Sequence, residues 1–254
     1  MSCISNWPSF PVQFKLTIEY DGTQYNGWQL QQNAPTVQGA VEAALARLFS
    51  TPVRVRVAGR TDTGVHASGQ VVTFTPVKSL EPQRLQHSLN AILPTDIAVK
   101  QVEEVPDAFN PRRDARSRQY RYRIWNAPWR SPLWARYSWH LPYPLQVEEM
   151  NRAAALLIGD HDFSSFKGSD SVERRPQRTM LSSRVQHEEE FVLYDVEARS
   201  FLRHMVRNIV GTLVDVGRGA LSVEEFARIF AARDRRQAGL NAPPQGLCLV
   251  EVKY

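Results

Sequence analysis

Along the chain, apolar and polar positions alternate between a period of two and a period near 3.6. Phe14, Leu16, Ile18 and Tyr20 share one face of an extended segment, which the Asp21-Gly22 turn ends. Thr36 is placed to cap a helix whose Val37, Val41, Ala44, Leu45 and Leu48 form one apolar stripe. Val53, Val55 and Val57 then alternate with Arg54 and Arg56, and after a loop residues 70–75 resume a strand. Leu85, Leu89 and Ile92 predict a helix over 82–93, opened by Pro82, and residues 97–105 read as extended. The first half is therefore β-α-β-β-α-β.

Residues 104–118 hold two prolines and four arginines with little apolar periodicity, which marks a link. The order then returns: a strand through Tyr120, Tyr122 and Ile124, an amphipathic helix over 147–158, strands over 181–187 and 191–198, and a helix over 201–216. An additional helix over 223–232 precedes a closing strand at 247–253. The expectation is an α+β protein of two similar halves, 1–110 and 111–254. Each half would be a split β-α-β-β-α-β unit with an antiparallel sheet and helices on one face, and a basic cleft would lie between them.

A chain of 254 residues can bury its core without a disulfide or a structural metal. Cys3 and Cys248 lie at opposite ends with no ligand-like spacing, as incidental thiols of a reducing compartment would. No apolar run approaches the roughly 20 residues of a membrane span, and the start lacks a basic region followed by an apolar stretch. A soluble cytoplasmic protein is expected.

Charge changes the picture more. The formal net charge is +5, and 26 of the 31 basic residues are arginine. A guanidinium can hold a phosphate through two hydrogen bonds or stack on a base. A coding bias would spread arginines evenly, yet seven crowd between Asn110 and Arg130, at 112, 113, 116, 118, 121, 123 and 130. Asp114 is the one acid among them, and Tyr120, Tyr122, Trp125 and Trp129 are interleaved. Arginines mixed with aromatics suit a folded RNA better than a solvated strand exterior.

The loop over 59–70 puts three glycines, Arg60, Asp62 and His66 between two strands. Asp62-Thr63-Gly64 alone reads as an Asx-type turn in which the carboxylate caps backbone amides. It also matches the aspartic protease signature, but that chemistry needs a second such triplet, which the chain lacks, and an apolar approach where Arg60 and Thr61 stand. His161-Asp162 and the Asp62/His66 pair lack the helical partners or cysteine pairs of a zinc site, so no metal is expected. Arg207 lies among Met205, Val206, Ile209 and Val210, and a charge on so apolar a helix calls for a carboxylate partner.

The longer string over 58–67, Ala-Gly-Arg-Thr-Asp-Thr-Gly-Val-His-Ala, closely resembles the catalytic loop of the tRNA pseudouridine synthase A family. The likeness extends to Glu19-Tyr20-Asp21-Gly22 with Gly27-Trp28-Gln29, to Leu93-Pro94 with Asp96-Ile97, and to Arg118-Gln119-Tyr120-Arg121-Tyr122. It continues through His161 to Phe166, the segment His204-Met205-Val206-Arg207-Asn208-Ile209-Val210-Gly211, and Gly246-Leu247. Thr63, where alanine is frequent, and the short stretch over 167–171 depart from the family pattern without touching those residues.

The resemblance implies that Asp62 is the catalytic residue, that Tyr120 stacks on the target base and that Arg207 pairs with Asp62. It further implies that Arg60 fills the space a flipped nucleotide vacates. The implied activity is isomerisation of uridine to pseudouridine at positions 38 to 40 of the tRNA anticodon stem-loop, by a homodimer with no cofactor. The chemistry fits these residue types. Uridine breaks its N1–C1′ bond, turns over and rejoins through C5, with no change of oxidation state. A carboxylate, ionised at neutral pH with an ordinary pKa of about 3.9, can attack C1′, attack the ring or remove a sugar proton. The target base must leave its stack, which costs a few kcal/mol that an aromatic ring can partly return. A non-catalytic RNA-binding module would share the fold and the arginines, but it has no use for a carboxylate that repels phosphate inside a basic cleft.

Overall fold

The computed structural model describes residues 12–78, 80–169 and 175–254. Cys3 and part of the 167–171 stretch lie outside the described residues. The backbone forms one ten-stranded mixed sheet with five α-helices among the described residues, an α+β architecture as the sequence predicts.

β1 (Val12–Tyr20) pairs antiparallel with β3 (His66–Phe74) and with β4 (Ile97–Pro106). Its alternation is realised: Phe14, Leu16, Ile18 and Tyr20 are buried, while Glu19 is exposed. α1 (Val37–Phe49) starts where expected, with Thr36 Oγ1 accepting the Gly39 N–H at 3.2 Å. α2 (Pro82–Ile92) packs on β4. The strand expected over 53–57 shrinks to β2 (Arg56–Val57). Glu42 of α1 explains this at Val55, because its carboxylate accepts the Val55 N–H at 3.2 Å, a backbone donor that a sheet neighbour would have used, while the same carboxylate holds the Arg54 side chain at 2.7 Å.

In the second half, β5 (Ser117–Trp125) pairs antiparallel with β9 (Phe191–Ala198), which pairs with β8 (Gln177–Glu188). Two short strands were not expected, β6 (Trp139–His140) beside β5 and β7 (Gly159–Asp162) beside β8. α3 (Val147–Ala155) ends before the predicted 158, in tight turns that lead to Gly159 at φ +114°. α4 (Met205–Gly217) begins four residues later than the periodicity predicts, because His204 takes the left-handed conformation at φ 61° and interrupts the helix. α5 (Val223–Ala232) carries a full capping box between Ser222 and Glu225.

The last strand joins the halves. β10 (Leu247–Lys253) pairs antiparallel with β5 and parallel with β3, so the two antiparallel sheets are halves of one continuous sheet. Register then sets the site: Ala67 on β3, Leu249 on β10 and Tyr120 on β5 are neighbours across three strands. The loop that precedes β3 is thereby brought beside the second half.

Candidate active site

The loop over 59–65 is held from both sides by backbone. The Trp28 N–H donates to Thr61 O at 3.1 Å and the Gly64 N–H to Tyr25 O at 3.3 Å. Gly22 and Gly27 permit this approach, since a Cβ on Gly22 would stand 2.1 Å from Val65 O and one on Gly27, which has φ +79°, 2.7 Å from Thr61 O. The motif after β1 and the Asp62 loop are thus two parts of one packed unit. From below, Tyr20 Oη and Thr61 Oγ1 share a 2.8 Å hydrogen bond, and Gln70 Nε2 donates to Gly59 O at 2.7 Å.

The turn at Asp62 is closed by main chain, with the Val65 N–H donating to the Asp62 backbone O at 3.1 Å. Its carboxylate caps no amide of the turn and projects into a cleft of about 990 Å³. There Arg207 Nη1 lies 3.5 Å from Asp62 Oδ2, as the apolar helix around Arg207 predicts. Arg207 is 12% exposed and Asp62 27%, so the pair borders the open cleft. The guanidinium is oriented by a second bond, Nε to Ala242 O at 2.7 Å.

All four residues singled out in the sequence, Arg60, Asp62, Tyr120 and Arg207, line this one cleft. Tyr120 is both core and wall, because it is nearly buried and packs edge-on against Phe201 with ring centroids 5.1 Å apart. Burial, with smaller contributions from Tyr20 and from the Asp62 charge, pushes the Tyr120 phenol far above its ordinary range. It is a neutral ring at physiological pH. His204, whose ring the sequence reading did not single out, also lines the cleft, with Nε2 3.5 Å from Asp62 Oδ2. Its signal was its place three residues before Arg207 within the helical periodicity of the sequence, although the structure sets it just outside the helix.

His66 does not join Asp62. Its Nδ1 accepts the Gly22 N–H at 3.0 Å and its Nε2 donates to Arg136 O at 2.8 Å, which defines a neutral ring locking β3 to the segment between β5 and β6. Burial holds its pKa below the usual histidine value, against the opposing pull of Asp21. His161 Nε2 contacts Ile158 O at 2.9 Å, away from the cleft.

The arginine cluster divides by role. Arg112 lines the cleft with Arg118. Arg118 is nearly buried, and its two terminal nitrogens donate to the carbonyls of Ala58, Arg112, Ala115 and Arg199, tying the loop base to the linker and to the end of β9. A well-formed hydrogen bond with a charged partner contributes on the order of 1.5–3 kcal/mol net. Arg121 makes a two-bond pair with Asp195 of β9, at 2.7 and 2.9 Å. The counter-charge absent from the local sequence therefore arrives across the sheet. Arg113 pairs with Asp114 at 3.0 Å.

Comparison with known proteins places the chain in a family. A family model described as tRNA pseudouridine synthase matches residues 16–112 and 153–254. The chain is 46% identical over 242 residues to the tRNA pseudouridine synthase A of Geotalea uraniireducens (strain Rf4), covering 95% of this chain and 99% of that protein. It is 46% identical over 243 residues to the Myxococcus xanthus protein of that name, covering 95% and 92%. Against that of Thermoanaerobacter sp. (strain X514) the identity is 43% over 239 residues, covering 94% and 98%. With a family match over most of its length and relatives this similar from end to end, the chain belongs to the tRNA pseudouridine synthase family.

Proposed function

We propose that this protein isomerises uridine to pseudouridine in the anticodon stem-loop of tRNA, at positions 38 to 40, with Asp62 as the catalytic carboxylate. The observation that carries the reading is a carboxylate that caps nothing, set at the mouth of an arginine-lined cleft and paired with Arg207. A binding module gains nothing from that charge, whereas an isomerase needs it ionised against the reacting nucleoside.

In this reading the target nucleotide leaves the RNA stack and enters the cleft, where its base lies against Tyr120. Arg60, on the loop rim, fills the place the nucleotide leaves. Asp62 meets the sugar or ring while the N1–C1′ bond breaks; the freed uracil turns, C5 bonds to C1′, the C5 proton departs and N1 gains one. As substrate expels water, the Arg207 guanidinium keeps Asp62 ionised. Tyr120, neutral in its buried setting, serves as a stacking platform and can give or relay a proton only through its intact hydroxyl. The reaction draws on no cofactor. Residues 1–110 carry the Asp62 loop and residues 111–254 the Tyr120 strand and the Arg207 helix, as two domains of one chain, and two copies of that chain act as a homodimer in the cytoplasm.

The test is a map of pseudouridine in tRNA from cells lacking this protein. Loss confined to positions 38 to 40, restored by the parent gene and not by Asp62→Asn, is the expected result. Intact pseudouridine at those positions would overturn the substrate assignment.

A further inference from the structure

His204 occupies a position that does nothing for its helix. It is the N-cap of α4, yet its side chain makes no capping hydrogen bond, and its backbone sits at φ 61°, ψ 1° rather than in the extended region that N-caps adopt. A left-handed backbone disfavours any residue with a Cβ and suits glycine or asparagine. Such a residue persists when its surroundings and its task demand it. The surroundings are fixed on both sides, by the Gly168 N–H donating to Arg203 O at 2.9 Å and by the Asn208 N–H donating to His204 O at 3.0 Å. What the strained turn achieves is to aim the imidazole into the cleft, 3.5 Å from Asp62 Oδ2.

Arg207 approaches the same oxygen, also at 3.5 Å. Among the described residues no hydrogen bond or ion pair engages Oδ1. Arg207 donates a hydrogen bond to Oδ2 from the first turn of α4 and the imidazole of the N-cap residue stands at the same distance, so both side chains converge on one carboxylate oxygen and leave the other without a partner among the described residues. A carboxylate held by a single donor can rotate about Cβ–Cγ, exchanging its oxygens; two donors converging on one oxygen oppose that rotation.

We propose that His204 is a positioning residue for the reaction, which with Arg207 immobilises Asp62 Oδ2 and presents Oδ1 as the oxygen that meets the substrate. This rests on the assignment of Asp62 as the reacting carboxylate. Both contacts are long for a hydrogen bond, so they can shorten when the incoming nucleotide expels water and lowers the local dielectric. The left-handed turn is then the structural cost of bringing an imidazole, three residues ahead of Arg207, onto the same oxygen.

The discriminating variant is His204→Gly, which suits the left-handed backbone and removes the ring. If His204 serves the fold, this variant keeps full activity. If it positions Asp62, the variant unfolds at or above the parent temperature, binds tRNA with parental affinity, and converts bound tRNA about tenfold to a hundredfold more slowly in single turnover. His204→Gln, which restores an N–H donor of similar reach, regains most of the lost rate. Adding Arg207→Ala to His204→Gly costs less than the product of the two single effects, because both act on one oxygen. Parental single-turnover rates in His204→Gly, or a loss confined to tRNA affinity, would overturn the proposal. Should His204→Gly not fold, His204→Asn, which also tolerates this backbone, supplies the same comparison. Asp62→Asn is run alongside: product from that variant would sink the active-site assignment itself, an outcome separate from any behaviour of His204.

Discussion

Arg207 Nη1 and Asp62 Oδ2 stand 3.5 Å apart although 145 residues separate them in the chain. The contact crosses the sheet's central seam, where the parallel pairing of β3 with β10 sets the Asp62 loop beside the start of α4. It exists only once both halves have folded against each other. Four consequences can be measured.

Asp62→Asn preserves size and removes charge. Because the carboxylate caps no turn amide and Arg207 keeps its bond to Ala242 O when the charge is removed, the variant is expected to fold with an unfolding midpoint close to the parent's. It should bind tRNA at least as tightly, since a negative charge near phosphate has gone, and form no pseudouridine in single turnover. Conversion near the parental rate would remove Asp62 from the chemistry.

Arg207→Ala leaves the Asp62 charge without its guanidinium partner. Turnover of bound tRNA should fall by two orders of magnitude or more, on the order of 3 kcal/mol, with affinity little changed. Arg228, exposed on α5 and near Glu225 at 3.7 Å, is the control, and its alanine variant should match the parent in both. Equal affinity losses in the two variants, with turnover intact, would reduce Arg207 to a phosphate contact.

Salt dependence separates the arginines by role. Arg112 lines the cleft, so Arg112→Ala should lower the slope of log affinity against log salt by about one. Arg121 is committed to Asp195, and Arg121→Ala should leave that slope unchanged while lowering stability. The reverse pattern in filter binding would shift the RNA track to the other face of β5.

Acid should loosen the clasp around His66. The buried ring is neutral and its folded pKa lies below the unfolded value of about 6.5, so in that interval the unfolded chain binds more protons. Its contribution is complete above pH 6.5 and is lost as pH falls through the folded pKa. Asp21 acts in the same sense at lower pH. Burial tends to raise its pKa, but hydrogen bonds from Thr23 and Tyr137 and the nearby His66 outweigh that and hold it below the ordinary value. Denaturant midpoints between pH 8 and pH 5 should therefore fall less steeply in His66→Gln than in the parent; identical profiles would mean the ring takes up its proton without strain.

The sequence by itself determined most of the elements, because the periodicity that marks them is local. Alternation in β1 and β5 and the apolar stripe of α1 follow from burying one face of a strand or helix. The string around Asp62 and the apolar neighbours of Arg207 named the residues to watch. Tertiary structure decided where the elements end and which charges meet. Glu42 shortened β2 by taking the Val55 N–H from another element. Asp195 neutralised Arg121 from a neighbouring strand, and the distant carbonyls of Ala58 and Arg199 joined the nearby ones of Arg112 and Ala115 around Arg118, so two residues of the arginine cluster became structural. The seam between β3 and β10, which merges two sheets into one and sets the cleft, is likewise a pairing of distant segments. His204 lay inside a periodicity that predicts helix from 201, and only packing on both sides forces its left-handed turn and points its ring at Asp62. Periodicity records which side of an element is buried; it carries no information about which distant group supplies the partner on that side.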